Sequence, residues 1–183
     1  MLAVVLLTPF FSYAQTEACG VKFGSSYEEA RKILDRKFGD AHESSKGRIL
    51  TYSDVRYAGY TWDRIVFEFQ FDGNSSYCIA CQMQRTCADL KTAEKLRDAL
   101  QAKMADKYEM NEFTDSDGVV YYKGGQSPTD KRDYGFKLHI ARNYNGHLDI
   151  LADVLHDLLG EPVIDVYAVV LAYGPYSYVN EEL

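Results

Sequence analysis

Residues Trp62 to Phe71 read Trp-Asp-Arg-Ile-Val-Phe-Glu-Phe-Gln-Phe, and in them Ile65, Phe67, Phe69 and Phe71 alternate with Arg64, Glu68 and Gln70. A period of two marks a β-strand with one face in an apolar core and the other in water. Asp72-Gly73-Asn74-Ser75 follows, the residue types of a tight turn. The strand therefore folds back into a second at Tyr77 to Arg85, and Arg48 to Tyr57 is predicted as the strand before it.

Upstream lies a helix signal. Ser25 and Ser26 each have a glutamate three residues on, Glu28 and Glu29, as in a capping box, and Tyr27, Ala30, Ile33, Leu34 and Phe38 recur on one face before Gly39. Downstream, Asp89 precedes a second helical run from about Leu90 to Lys107, with Ala93, Leu96, Leu100 and Met104 at helical spacing. Strands are then predicted at Val119 to Lys123, Tyr134 to Arg142 and Val163 to Tyr173. A short extra strand at Glu109 to Thr114 pairs through the Asp117-Gly118 turn, and an amphipathic helix is inserted at Leu148 to Leu159. The last strand, with Val166 to Ala172 apolar on both faces, belongs in the centre of a sheet or under the inserted helix.

Antiparallel strands after each helix, with short connections, imply an α+β two-layer sandwich, its helices packed on one face of the sheet. The order helix-strand-strand-strand occurs twice, so a tandem pseudo-repeat over residues 20–88 and 89–183 is an open possibility within one domain, 15–183. Phe67-Glu68-Phe69-Gln70-Phe71 and Phe136-Lys137-Leu138-His139-Ile140 share a pattern, although any half-buried strand has that alternation.

The N-terminus carries the information on location. Met1 to Phe11 is an apolar run too short to span a bilayer, and Ser12-Tyr13-Ala14 places small residues at the positions a signal peptidase reads. Residues 1–14 are thus expected to be a signal peptide, although no Lys or Arg precedes the run, and the protein to be exported, periplasmic or secreted, without membrane insertion after processing. Glu17 within Thr16-Glu17-Ala18 argues against lipidation of Cys19.

Export makes disulfides the first reading of Cys19, Cys78, Cys81 and Cys87. On a straight strand Cys78 and Cys81 stand about 10 Å apart on opposite faces, and Cys81 and Cys87 about 20 Å apart. Cys19 with Cys87 is then the expected pair, and a curl after Met83 would allow Cys81 with Cys87 instead.

The first hundred residues carry 13 basic and 13 acidic side chains, so the net charge of −7 belongs entirely to residues 101–183. Without a basic stripe, nucleic acid is excluded as a partner. His42, His139, His147 and His156 lack metal-ligand spacing, no cofactor fingerprint is present, and Asp115-Ser116-Asp117-Gly118 fails as a calcium loop because Phe113 and Gly124 fall on ligand positions. No metal and no cofactor are expected.

Gly24-Ser25-Ser26-Tyr27-Glu28-Glu29-Ala30, Leu34, Phe38-Gly39 and the aromatic strand at Leu50-Thr51-Tyr52 resemble the exported BamE/SmpA-type and β-lactamase-inhibitor-protein-like modules over about residues 20–85. The likeness extends to exported proteins of Gram-negative bacteria in general. It implies a small helix-plus-antiparallel-sheet domain that binds other proteins. The chain departs from the pattern in lacking a lipidation box and a second helix-entry motif ahead of the second helix.

The remaining surplus is aromatic, with 15 Tyr, 9 Phe and one Trp. Tyr52, Tyr57, Tyr60 and Trp62 gather at the first strand turn and are the candidate binding residues; Tyr173, Tyr176 and Tyr178 form a second group. The expected function is a non-enzymatic binding module for an envelope protein or glycan; the alternative is a hydrolase with a dispersed site. Mass spectrometry of the natively exported protein should find a mature chain starting at or near Gln15. A retained Met1 or a diacylglyceryl group on Cys19 refutes that processing.

Overall fold

The computed structural model describes residues 14–43, 48–144 and 165–178. It is a mixed α+β structure. A short hairpin, β1 (Glu17–Ala18) and β2 (Val21–Lys22), leads into α1 (Tyr27–Phe38). β3 (His42–Glu43), β4 (Ile49–Tyr57), β5 (Tyr60–Asp72) and β6 (Ser75–Cys87) follow, then α2 (Leu90–Ala105), β7 (Met110–Thr114), β8 (Val120–Gln126), β9 (Tyr134–Tyr144) and β10 (Asp165–Tyr173). The predicted helix at Leu148 to Leu159 lies outside the described residues.

Eight strands form one sheet in the order β3-β4-β5-β6-β10-β9-β8-β7. Neighbours in it are antiparallel throughout. The strands after α1 and the strands after α2 make contiguous halves that meet where β6 pairs with β10, Tyr167 opposite Cys87 and Tyr173 opposite Cys81. β10 is thus central, and Ala168, Val169, Val170 and Leu171 are all buried, as an apolar run on two faces requires.

Local chemistry explains the helix boundaries. Of the two candidate serines, Ser26 is the cap: its Oγ accepts from Glu29 N at 3.3 Å while the Glu29 carboxylate accepts from Ser26 N at 3.1 Å. Gly39 ends α1 at φ 86, a conformation in which a Cβ would be strained. α2 begins at Asp89, whose carboxylate accepts from Thr92 N at 2.7 Å. Ala30 and Leu34 of α1 and Ala93 and Leu100 of α2 enter the same buried cluster as Leu50, Tyr52, Ile65, Phe67, Met83, Leu138 and Val169 of the sheet.

Two irregularities change which side chains face that cluster. At the first, Asp54 adopts φ 54, and both paired strands lose strict alternation there, so Tyr52 and Val55 on β4 and Ile65 and Trp62 on β5 all point inward. The second is a β-bulge in which Ile79 is the extra residue, with Ala80 opposite Glu68 and Cys78 opposite Phe69. The bulge reverses the alternation between Cys78 and Cys81. Both cysteines therefore lie in the core, which corrects the opposite-face expectation derived from a straight strand.

Phe67 and Phe69 are buried, and Tyr27 of α1 meets Phe69 edge-on at 5.1 Å. Phe71, expected to join them, is 42% exposed. It lies near the hairpin tip, where α1 begins: the first residue of α1, Tyr27, packs its ring on Phe69 and donates its N–H to Ser76, the register partner of Phe71, and the Arg48 guanidinium lies 5.8 Å from the Phe71 ring. No described helix is long and apolar enough to cross a membrane. Phe69→Ala should destabilise the fold by about 3–5 kcal/mol, whereas Phe71→Ala should cost well under half as much, read as the shift in urea midpoint. Equal midpoints for the two variants would show that the inward face of β5 has been misassigned.

Candidate functional site

The aromatic group at the β4–β5 turn divides into packing and rim residues. Tyr52 is 1% exposed, stacks obliquely on Phe38, and donates its hydroxyl to Asp35 Oδ1 at 2.8 Å. Burial, reinforced by that carboxylate, pushes its phenol far above the usual range. Trp62 is 2% exposed and donates Nε1–H to the Tyr57 carbonyl at 3.2 Å. These two rings have no face to offer a partner, because Asp54 turns both strands so that they point into the core.

Tyr57 and Tyr60 are half-buried and face each other across the Ala58-Gly59 turn. Lys37 Nζ lies 4.5 Å from the Tyr57 ring and Lys103 Nζ 5.1 Å from the Tyr60 ring; Lys103 also donates to the Ala58 carbonyl at 2.6 Å. Behind them is a cavity of about 290 Å³, bounded by the Cys19 turn, Met83 and Tyr173 on the sheet side and by Leu100, Lys103 and Met104 of α2. Burial raises the Tyr57 phenol to about 12, helped by the nearby Cys19 and Cys81 thiols.

A second aromatic group, not singled out from the sequence, lies at the other end of the sheet. Tyr122 and Leu138 are directly paired and belong with the core, so Tyr121 and Lys123 on β8 and Lys137 on β9 point to the opposite face. Phe113 of β7 stacks on Tyr121, its register partner, with centroids 5.4 Å apart and planes at 17°. Tyr134, 41% exposed, meets Phe113 edge-on at 5.8 Å. Lys123 and Lys137 are directly opposite, a repulsive pairing, yet each ammonium has a ring to sit over: Lys123 lies 5.4 Å from Phe113 and 5.7 Å from Tyr134, and Lys137 4.7 Å from Tyr121. The alternation Tyr121-Tyr122-Lys123 was the available signal. Which tyrosine faces outward depends on pairing with β9, and that pairing is tertiary.

Beside this patch runs an open cleft of about 1000 Å³, bordered by Lys123, Asp130, Asp133, Tyr134, Lys137 and Tyr178. Arg132 grips the Asp130 carboxylate through Nε at 3.1 Å and Nη2 at 2.9 Å, and this hydrogen bonding holds Asp130 down at about 2. Of the C-terminal tyrosines, Tyr173 and Tyr176 are core residues, Tyr176 packing on Phe23 at 4.5 Å and donating its hydroxyl to the Gly135 carbonyl. Tyr178 is half-buried, and burial raises its phenol to about 12.

Among the described residues, His139 Nδ1 and the four cysteines are sequestered. His139 faces Val170 across the sheet, its Nδ1 is buried without a hydrogen bond, and burial lowers its pKa to about 4. His147 and His156 lie outside the described residues. All four cysteines are buried, none is bonded in the structure, and Cys19 and Cys87, the expected pair, are placed apart. Cys19 lines a cavity with Met83 and Tyr173, and Tyr173 is the register partner of Cys81, while Cys87 lies at the far end of β6 opposite Tyr167. Asp115 accepts from Asp117 N at 3.0 Å and Val119 N at 2.8 Å, which accounts for the Asp-rich segment as a hairpin turn. Among the described residues no group of three or more His, Cys, Asp or Glu is arranged to hold a metal ion.

Comparison with protein-family models, curated proteins and solved structures finds no match. Trp62→Ala should destabilise the protein by about 3–5 kcal/mol, because it empties a filled core site, while Tyr60→Ala should cost roughly 1 kcal/mol. Urea titration of the two variants measures this. A Tyr60→Ala loss as large as that of Trp62→Ala would make Tyr60 a core residue too.

Proposed function

We propose that the protein is an exported, non-enzymatic binding module of the periplasm or extracellular space, engaging an envelope protein or a glycan. Its architecture in this reading is a two-layer sandwich, with α1 and α2 on one face of the sheet and the helix-strand-strand-strand unit used twice. The helix-entry resemblance to the BamE/SmpA-type modules points the same way. The observation that carries the proposal is the outward-facing group Phe113, Tyr121 and Tyr134 with Lys123 and Lys137 between the rings. Three rings fixed by stacking give a large rigid contact area at small entropic cost, and the lysines add attraction for a partner with anionic groups.

Sugar rings stack on such platforms through their C–H faces, and an acidic loop of a protein would meet the same lysines. The cleft beside the patch contains two carboxylates, Asp130 and Asp133, as a glycoside hydrolase would need. A general acid in such an enzyme needs a raised pKa, however, and Arg132 drives Asp130 in the opposite direction. The pairing with Arg132 thus removes Asp130 from the general-acid role.

Tyr134→Ala and Tyr121→Ala should each weaken capture of a glycan or envelope protein by tenfold or more while leaving the urea midpoint within about 1 kcal/mol of wild type. Binding isotherms on glycan arrays and on fractionated envelope extract give the first quantity. Wild-type affinity in both variants would remove the patch from the function.

A further inference from the structure

We propose that Cys19 and Cys81 form a disulfide when the chain folds in an oxidising compartment, tying the N-terminal hairpin to the middle of the sheet. Three independent placements bring them together. Cys19 and Gly20 form the two-residue turn of the β1–β2 hairpin, with φ 54 and 86. Such a turn normally takes Asn-Gly, since a left-handed residue with a Cβ is strained. Here a cysteine holds that position with its side chain 1% exposed, so the turn presents the thiol inward rather than satisfying local preference.

The hairpin is fixed over β6 by its own exit. Gly24 N donates to the Cys78 carbonyl at 2.8 Å and Cys78 N to the Ser25 carbonyl at 2.8 Å, while Lys37 of α1 holds the Cys19 carbonyl at 2.9 Å. The bulge at Ile79 then turns Cys81 inward beneath it, also at 1% exposure. Cys19 borders the cavity that Met83 and Tyr173 line, and Tyr173 is the register partner of Cys81, so the two thiols enter the same part of the buried cluster. Cys78 is also close to Cys81, and it is the competing partner.

The chemistry is thiol–disulfide exchange with a small-molecule disulfide such as oxidised glutathione. One protein thiolate attacks a glutathione sulfur, its S–S bond breaks, and the first reduced glutathione leaves. The second protein thiolate attacks the mixed disulfide and releases the second. Two electrons pass from the protein sulfurs to glutathione, and the two thiol protons end on the two released glutathiones. Burial, together with the Cys19 thiol, raises the Cys81 thiol well above the ordinary range, so thiolate is scarce in the finished fold. Exchange therefore belongs to the folding reaction, before the core closes.

The test is refolding of the full reduced chain from urea in a glutathione redox buffer, followed by alkylation, digestion and mass spectrometry. The expected map links Cys19 to Cys81 and leaves Cys78 and Cys87 alkylated, with the backbone fragment between Cys78 and Cys81 assigning the bridge. A Cys78→Ser, Cys87→Ser double variant should still lose two hydrogens on oxidation, and its urea midpoint should be higher oxidised than reduced. A bridge from Cys19 to Cys87 or Cys78, a bridge from Cys81 to Cys78 or Cys87, or four alkylated cysteines after oxidative refolding, overturns the proposal. The wild-type map decides the matter even if the double variant does not fold.

Discussion

The extra residue at Ile79 is the constraint on which most of the fold depends. A bulge frees backbone groups that a regular ladder would occupy, and here they are taken up by both ends of the chain. The Ile79 carbonyl accepts from Tyr176 N at 2.9 Å, while the neighbouring Cys78 pairs through both backbone groups with the Gly24–Ser25 segment that leads into α1. The tail after β10 passes so close that a Cβ on Gly174 would stand 2.4 Å from the Ile79 oxygen, which leaves glycine as the only residue for that position. The bulge, through Cys78 and Ile79, thus receives the N-terminal segment and the C-terminal segment and sets the facing of Cys78 and Cys81.

The central pairing of β6 with β10 follows from the same region. Seven register partners, from Tyr167–Cys87 to Tyr173–Cys81, close the two halves of the sheet into one surface. Buried polar groups near the core are resolved individually. Arg97, 6% exposed, gives one N–H to the Val120 carbonyl at 2.8 Å and another to Asp98 at 2.9 Å, and its guanidinium lies 5.8 Å from the Tyr122 ring. A charge at that depth is tolerated because its donors have partners. His139 follows the other course and stays neutral.

The opposite face at the β7–β8–β9 end is organised by competition between repulsion and ring attraction. Two lysines directly opposite each other on neighbouring strands would ordinarily weaken the β8–β9 pairing. Stacking Phe113 on Tyr121 and setting Tyr134 against Phe113 gives the ammonium groups negative ring faces to rest on. The result is a cohesive surface that remains partly in water.

Both described helices, the Phe-rich strand with its turn, and the central place of the last strand were legible in the sequence, because periodicity and caps depend on residues a few positions apart. The capping box at Ser26, the Asp89 cap and the alternation of Phe67 and Phe69 are all local. What the sequence did not disclose depends on partners far along the chain. A straight strand sends Cys78 and Cys81 to opposite faces, and only pairing of β6 with β5, with one residue in excess, reverses that. The Asp54 irregularity in the β4–β5 pair turns Trp62 and Tyr52 from the expected contact surface into the core, and pairing of β8 with β7 and β9 sets Tyr121, Tyr134 and Phe113 on the opposite face. Aromatic content is a property of composition, but whether a ring is buried or offered to a partner is decided by strand register, bulges and what lies on the other side of the sheet.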